Sequence, residues 1–223
     1  MATVPTGTLE RALRRLYLQW LVGVPRHNED IVEYIEEFQR NSERLIKSLG
    51  GDIARMGVYL ADFPAPRLLE LSPRAGVIYD AMKQAAIQAG VASGLGSRDI
   101  ARAMLNAGLD KSYNRLLRLA RTETVSAYWK NQWDSTAGLG LVMVWGAEFG
   151  PKTCEWCRSR DGYVVADPNM RDHPNGRCTL IPTLASRVRY KGTLNEDGSI
   201  YFDPLWDQRS QANGGNPLAS VEA

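Results

Sequence analysis

Histidine is close to absent, at two of 223 residues, and cysteine is little commoner, at three. A chain so poor in both cannot furnish several metal centres or histidine-based catalytic sets, so such chemistry is confined to wherever those few residues cluster. The odd cysteine count argues against a disulfide framework. Met1 to Thr8 lacks the basic-then-apolar pattern of a secretory signal, so the expected compartment is a reducing cytosol. No run of about eighteen apolar residues exists, which excludes a spanning helix. Gly94-Leu95-Gly96 lacks both a preceding strand and a lysine, so no phosphate-cradling loop is present. No internal repeat is visible. The formal net charge of +2 is too small to mark a nucleic-acid binder by itself.

What remains is ordinary globular material, 44% hydrophobic and 23% charged. Its first part reads as helices. Leu9, Leu13, Leu16, Leu18 and Leu21 recur among Arg11, Arg14 and Arg15, predicting an amphipathic helix from Thr8 to about Val22. Asn28 is placed as the N-cap of a second helix with the stripe Ile31, Tyr34, Ile35, Phe38, Leu45 and Leu49, expected to stop at Gly50-Gly51. A further helical piece is expected from Asp52 to Leu60, then a break at Pro64-Ala65-Pro66. Pro73 opens another helix whose buried face is expected to be Val77, Ile78, Met82, Ala85, Ala86 and Ala89. His27, beside the N-cap, reads as a surface residue.

A short helix from Ser97 through Leu105 precedes a long one from Asp110 to about Ala137, stopped by Gly138 and Gly140. Within it, Arg121 and Glu123 stand two positions apart and cannot pair with each other, so both are expected to face water. The period then changes. Leu141–Trp145, Tyr163–Val165 and Cys178–Pro182 read as strands, with Arg187–Tyr190 and Ile200–Phe202 as edge strands. Helices first and a small strand module last make an α+β arrangement. The expected divisions are a helical region 1–94, a module 95–190, and an acidic, partly flexible tail 191–223 that is loop-like beyond Pro204. Pro151 to Tyr190 carries +3, while Lys191 to Ala223 carries −3.

Chemistry concentrates between Val144 and Pro182, which holds all three cysteines and one histidine. Cys154 and Cys157 form a CxxC, followed by His173 and Cys178. That spacing matches a structural zinc site of the Cys3His kind, in which each short turn supplies one edge of a tetrahedron. Four protein ligands close the shell, so such a zinc would hold the fold and leave no position for an activated water. The alternative is that the cysteines are small half-buried residues and His173 a loop residue. Arg158, Arg160, Arg171 and Arg177 add candidate phosphate contacts.

In order along the chain stand Ala120-Arg121-Thr122-Glu123 in a long helix, its glycine stop, a strand ending in Trp145, the CxxC, Asp161-Gly162, and His173-Pro174-Asn175-Gly176-Arg177-Cys178 before an apolar strand. This order resembles the C-terminal domain of the phage Mu F-like minor head proteins, the phage head morphogenesis family, over roughly Ser97 to Thr183. The family pattern reads His-Pro-x-Cys-Arg-Cys; here Gly176 replaces the first of those cysteines, and Asp172 stands where proline is frequent. The resemblance implies a non-enzymatic virion component near the portal vertex. It would bind the portal protein, and major capsid or scaffolding protein and phage DNA are further candidate partners; no membrane is implied. The rival readings are a nuclease of the HNH type, suggested by the CxxC and Asp172-His173, and a plain DNA-binding zinc module. The first would need a further histidine or asparagine after that pair, and Asn175 comes only two residues after His173.

Overall fold

Mostly helix with a small sheet, the chain is mixed in class. The computed structural model describes residues 4–24, 30–90, 106–151, 153–165, 176–188, 193–194 and 200–201. The expected N-cap at Asn28, His27, the Ser97–Leu105 helix and the tail beyond Pro204 lie outside the described residues. Two compact units are interleaved along the sequence. One is Thr6–Asp52 with Arg67–Thr124, and the other is Met1–Pro5, Ile53–Pro66 and Val125–Ala223.

The first unit is helical. Helix α1 (Gly7–Gly23) buries Leu9, Leu13, Tyr17 and Trp20, the stripe that three- and four-residue spacing dictates. Helix α2 (Ile31–Leu45) buries Ile35 and Phe38. Aromatic rings join the two: Trp20 lies 5.1 Å from Phe38 and 5.8 Å from Tyr34, and its Nε1 donates to the Tyr34 carbonyl at 3.1 Å.

The expected stop at Gly50-Gly51 does not occur. One π-helical turn (Ile46–Gly50) runs on into helix α3 (Gly51–Arg55), and Gly51 keeps an ordinary helical φ of −62°. These glycines answer to tertiary closeness. A Cβ on Gly50 would lie 2.8 Å from Thr124 Oγ1, and one on Gly51 would strike the Arg67 carbonyl. Helix α4 (Arg74–Gly90) buries Ala75, Ile78, Tyr79, Met82 and Ala85, while Val77 is 70% exposed. Val77 was expected inside; the i, i+3, i+4, i+7 stripe set by Ala75 leaves it on the opposite side. The Tyr79 hydroxyl meets Ser42 Oγ at 2.7 Å.

Helix α5 (Leu109–Thr136) gives its first half to this unit and its second half to the other. Arg121, expected in water, is buried and bonds Glu10 of α1 with Nε to Oε1 at 2.9 Å, and its second nitrogen pairs with Oε2. Thr6 Oγ1 donates to the same carboxylate. Further along, the Tyr17 and Tyr113 rings stack at 3.9 Å, 7° from parallel. Burial, reinforced by Asp110, pushes Tyr17 up to about 12; Tyr113 is pushed to about 12 chiefly by burial, against the opposing charge of Arg14. Folded phenols therefore hold their protons where unfolded ones have lost them. The sign follows: stability from this stack is complete below the unfolded value of 10.0 and falls as the pH rises towards about 12. An alkaline titration should show tyrosinate absorbance appearing together with loss of helical circular dichroism; free titration from 10 with no unfolding would refute it.

In the second unit α5 ends where expected, at Gly138 (φ +79°) and Gly140 (φ +66°), a conformation that favours residues without Cβ. Three strands follow, β1 (Leu141–Gly146), β2 (Val164–Val165) and β3 (Thr179–Leu184), continued by two-residue β4 (Thr193–Leu194) and β5 (Ile200–Tyr201) in the order β3-β1-β2-β4-β5. Strand β1 is antiparallel to both β2 and β3, and β2 is parallel to β4. A short helix α6 (Glu155–Arg160) lies between β1 and β2. The strand expected at Arg187 is a 3-10 turn, Ala185–Arg187, which tucks Ala185 and Val188 against Val164. Segment 53–66 is held to α5 by Asn131 Nδ2, which donates to the Ala54 carbonyl at 2.8 Å, and by Ser135 Oγ, which accepts from the Tyr59 amide at 2.9 Å.

Candidate functional site

The segment from β1 to β3 is built around tryptophan. Trp145, at the end of β1, is fully buried; its ring meets Trp129 of α5 at 5.0 Å and Trp156 of α6 at 5.6 Å, both edge-on. Such T-shaped pairs set the negative face of one ring against the positive edge of the next. Arg160 lies over the Trp156 ring at 3.8 Å and donates to the Trp156 carbonyl at 2.9 Å. That cation–π contact fixes one flank of α6.

Asp161 and Gly162 close the turn back to the sheet. Asp161 Oδ1 accepts from the Ala147 amide at 2.9 Å, and the Gly162 amide donates to the Trp145 carbonyl at 2.8 Å. Gly162 needs its φ of +82° to do so, which explains glycine after the aspartate. The Trp145 amide donates to the Tyr163 carbonyl. With both its backbone groups spent on the β2 side, Trp145 makes no ladder bond to its β3 partner Leu180. The Leu180 carbonyl instead accepts from Gln132 Nε2 at 2.8 Å, and the Cys178 carbonyl from Trp129 Nε1 at 3.1 Å. Pro182 falls in the same alternating register, at a place where no amide is needed towards β1. Two side chains of helix α5 thus bond one outward carbonyl of β3, at Leu180, and one just before it, at Cys178.

The cysteines belong to this frame. Cys154 is the exposed N-cap residue of α6 and its carbonyl accepts the Arg158 amide; Cys157 and Cys178 are each only 2% exposed. His173, Asp172 and Arg171 lie outside the described residues. Among the described residues, no three or more His, Cys, Asp or Glu side chains are grouped so as to hold an ion. The described donors therefore do not by themselves form a metal centre.

Arg158 is exposed and reaches the Gly150 carbonyl at 3.3 Å, while Arg177 approaches Glu148 at 3.9 Å. Thr122 Oγ1 donates to the Arg118 carbonyl one turn back, and Glu123 is half-buried. Trp145, Asp161, Gly162, Arg177 and the cysteines come together in one unit, whereas Arg121, Thr122 and Glu123 belong to the other. Burial pushes the Tyr128 phenol up, and a hydrogen bond with Thr179 works against it.

Compared with family models, curated proteins and solved structures, the chain matches none. Its residues carry the reading alone. The sequence reading missed Glu10 and Trp129. Trp129 precedes Gln132 by one helical turn, so the two share a face, and that spacing was the available signal. Nothing local to Glu10 points to Arg121. Among the described residues, no helix is long and apolar enough to cross a membrane.

Proposed function

We propose that the chain is a non-enzymatic minor head protein of a tailed phage, docking at the portal vertex and acting in head morphogenesis, packaging or ejection. One observation carries the non-enzymatic part. Asp161, Gly162 and Trp145 are occupied in holding backbone and core together: the carboxylate on the Ala147 amide, the glycine in its left-handed turn, the indole between two others. A rigid lobe of this kind suits docking. The portal itself comes from the resemblance in motif order.

Co-expression with a portal ring is the test. The chain should co-purify with the ring and be found in finished heads; its absence from both would sink the reading. Metal-dependent nicking of plasmid by the purified chain would replace it with the nuclease alternative.

A structural zinc ion on Cys154, Cys157, His173 and Cys178 belongs to the same proposal. Elemental analysis of protein purified without chelator should find roughly one ion per chain, lost in Cys157→Ser, because metal binding at such sites is folding free energy. A metal-free, fully folded wild-type chain would remove zinc from the reading while leaving the portal test untouched.

A further inference from the structure

Helices α1 and the first half of α5 lie side by side within the helical unit, and two contacts fix their direction. Glu10 pairs with Arg121, and Tyr17 stacks on Tyr113, so the helices run antiparallel. Both turn the same kind of side chain to solvent. On α1, Arg11, Arg14 and Arg15 are exposed; on α5, Lys111, Arg115 and Arg118 are exposed at i, i+4 and i+7. Helical phase puts the two sets on one side. On α1 the buried residues Leu9, Leu13 and Trp20 lie to one side of the Glu10–Tyr17 seam, and the arginines lie to the other. On α5, Leu109, Leu116 and Ala120 take the core side and the three cations the opposite one.

The six cations face little negative charge. Glu10 is already taken by Arg121, and the carboxylate on this stretch of α5's solvent side, Asp110, is hydrogen-bonded to Asn114. Among the described residues none of the six has a carboxylate partner. The acidic residues of α2, Glu33, Glu36, Glu37 and Glu43, lie on another helix, where Lys83 takes Glu36 at 3.0 Å and Gln39 takes Glu43.

We propose that this two-helix face binds the phosphate backbone of duplex nucleic acid. Five of the six cations are arginines, whose planar fork matches phosphate oxygens. The exposed apolar side chains on this side of α1 are Leu18, level with Lys111 and Arg115, and Val22 one turn beyond it; leucine and valine are under-represented among the anchors of protein partners. No exposed aromatic sits among the cations for stacking single-stranded bases. An array made chiefly of guanidiniums, with no stacking platform, fits a regular polyanion. Binding here is sequence-independent. It does not depend on portal docking.

The test is fluorescence anisotropy of the full chain with a short random-sequence duplex across a salt series. Affinity should fall linearly on a log–log plot, with a slope of about −0.9 for each phosphate neutralised. Arg115→Gln and Arg15→Gln should each weaken binding equally for unrelated sequences and reduce that slope by about 1. Arg15→Glu combined with Arg115→Glu should abolish binding. Both sites are exposed, and unchanged circular dichroism would establish that folding is intact. Arg74→Glu, an exposed cation at the start of α4, should leave binding as it was. No binding at low salt, equal loss in Arg74→Glu, or capture of polyglutamate in preference to duplex would each overturn the proposal, the last assigning the face to an acidic polypeptide.

Discussion

Trp129→Ala is expected to cost about 3–5 kcal/mol of stability, the range for removing a large aromatic from a packed interior. Trp129 is fully buried, contacts Trp145 edge-on, and bonds the Cys178 carbonyl. Its loss opens a cavity beside Trp145 and leaves a buried carbonyl without its donor. Urea denaturation followed by far-ultraviolet circular dichroism would measure it. Two milder variants separate packing from hydrogen bonding. Trp129→Phe keeps most of the ring but orphans the Cys178 carbonyl, adding about 1–3 kcal/mol. Trp145→Phe forfeits no such bond, since Trp145 Nε1 is buried without a hydrogen-bond partner. Trp145→Phe should therefore be the less damaging of the two; the reverse order would show that ring packing at Trp145 outweighs the Trp129 hydrogen bond.

Arg121→Ala ranks second, with an expected loss of about 1.5–3 kcal/mol, the range for hydrogen bonds to a charged group. The partner sets the size. Glu10 keeps 21% of its side-chain surface in solvent, so the stranded carboxylate is partly hydrated and the loss stays below that of a fully buried ion pair. The double variant Arg121→Met with Glu10→Met should recover part of the loss, because a pair removed together leaves no uncompensated charge. Thermal melts of the two single variants and the double would decide it. Strictly additive losses would mean that the two side chains do not stabilise each other.

Local chemistry was legible where it acts locally. The stripe of α1, the length of α5 and its glycine stop follow from spacing and from φ preferences that any neighbourhood would leave intact. The strands at Leu141, Val164 and Thr179 announced themselves by β-branched runs, and Asp161-Gly162 by its turn chemistry. What failed was non-local. Gly50 and Gly51 look like a stop, yet they are small because Thr124 and Arg67 pass close by. Arg121 looks solvated because its carboxylate lies on a helix far away in sequence. Val77 is left outside, and Tyr79 is taken into the core, once the phase of α4 is set by its packing. Strand β4 has two residues and a parallel partner, too little for any period to show.

The outer border of β3 has one more implication. An unguarded sheet border is a template on which a second chain can lay a strand, the first step towards fibrous aggregates. Here proline removes an amide from that border, the amide of Gln132 occupies its Leu180 carbonyl, and the indole of Trp129 occupies the Cys178 carbonyl just before it. Addition of a strand from a second copy is thereby disfavoured along the first half of that border.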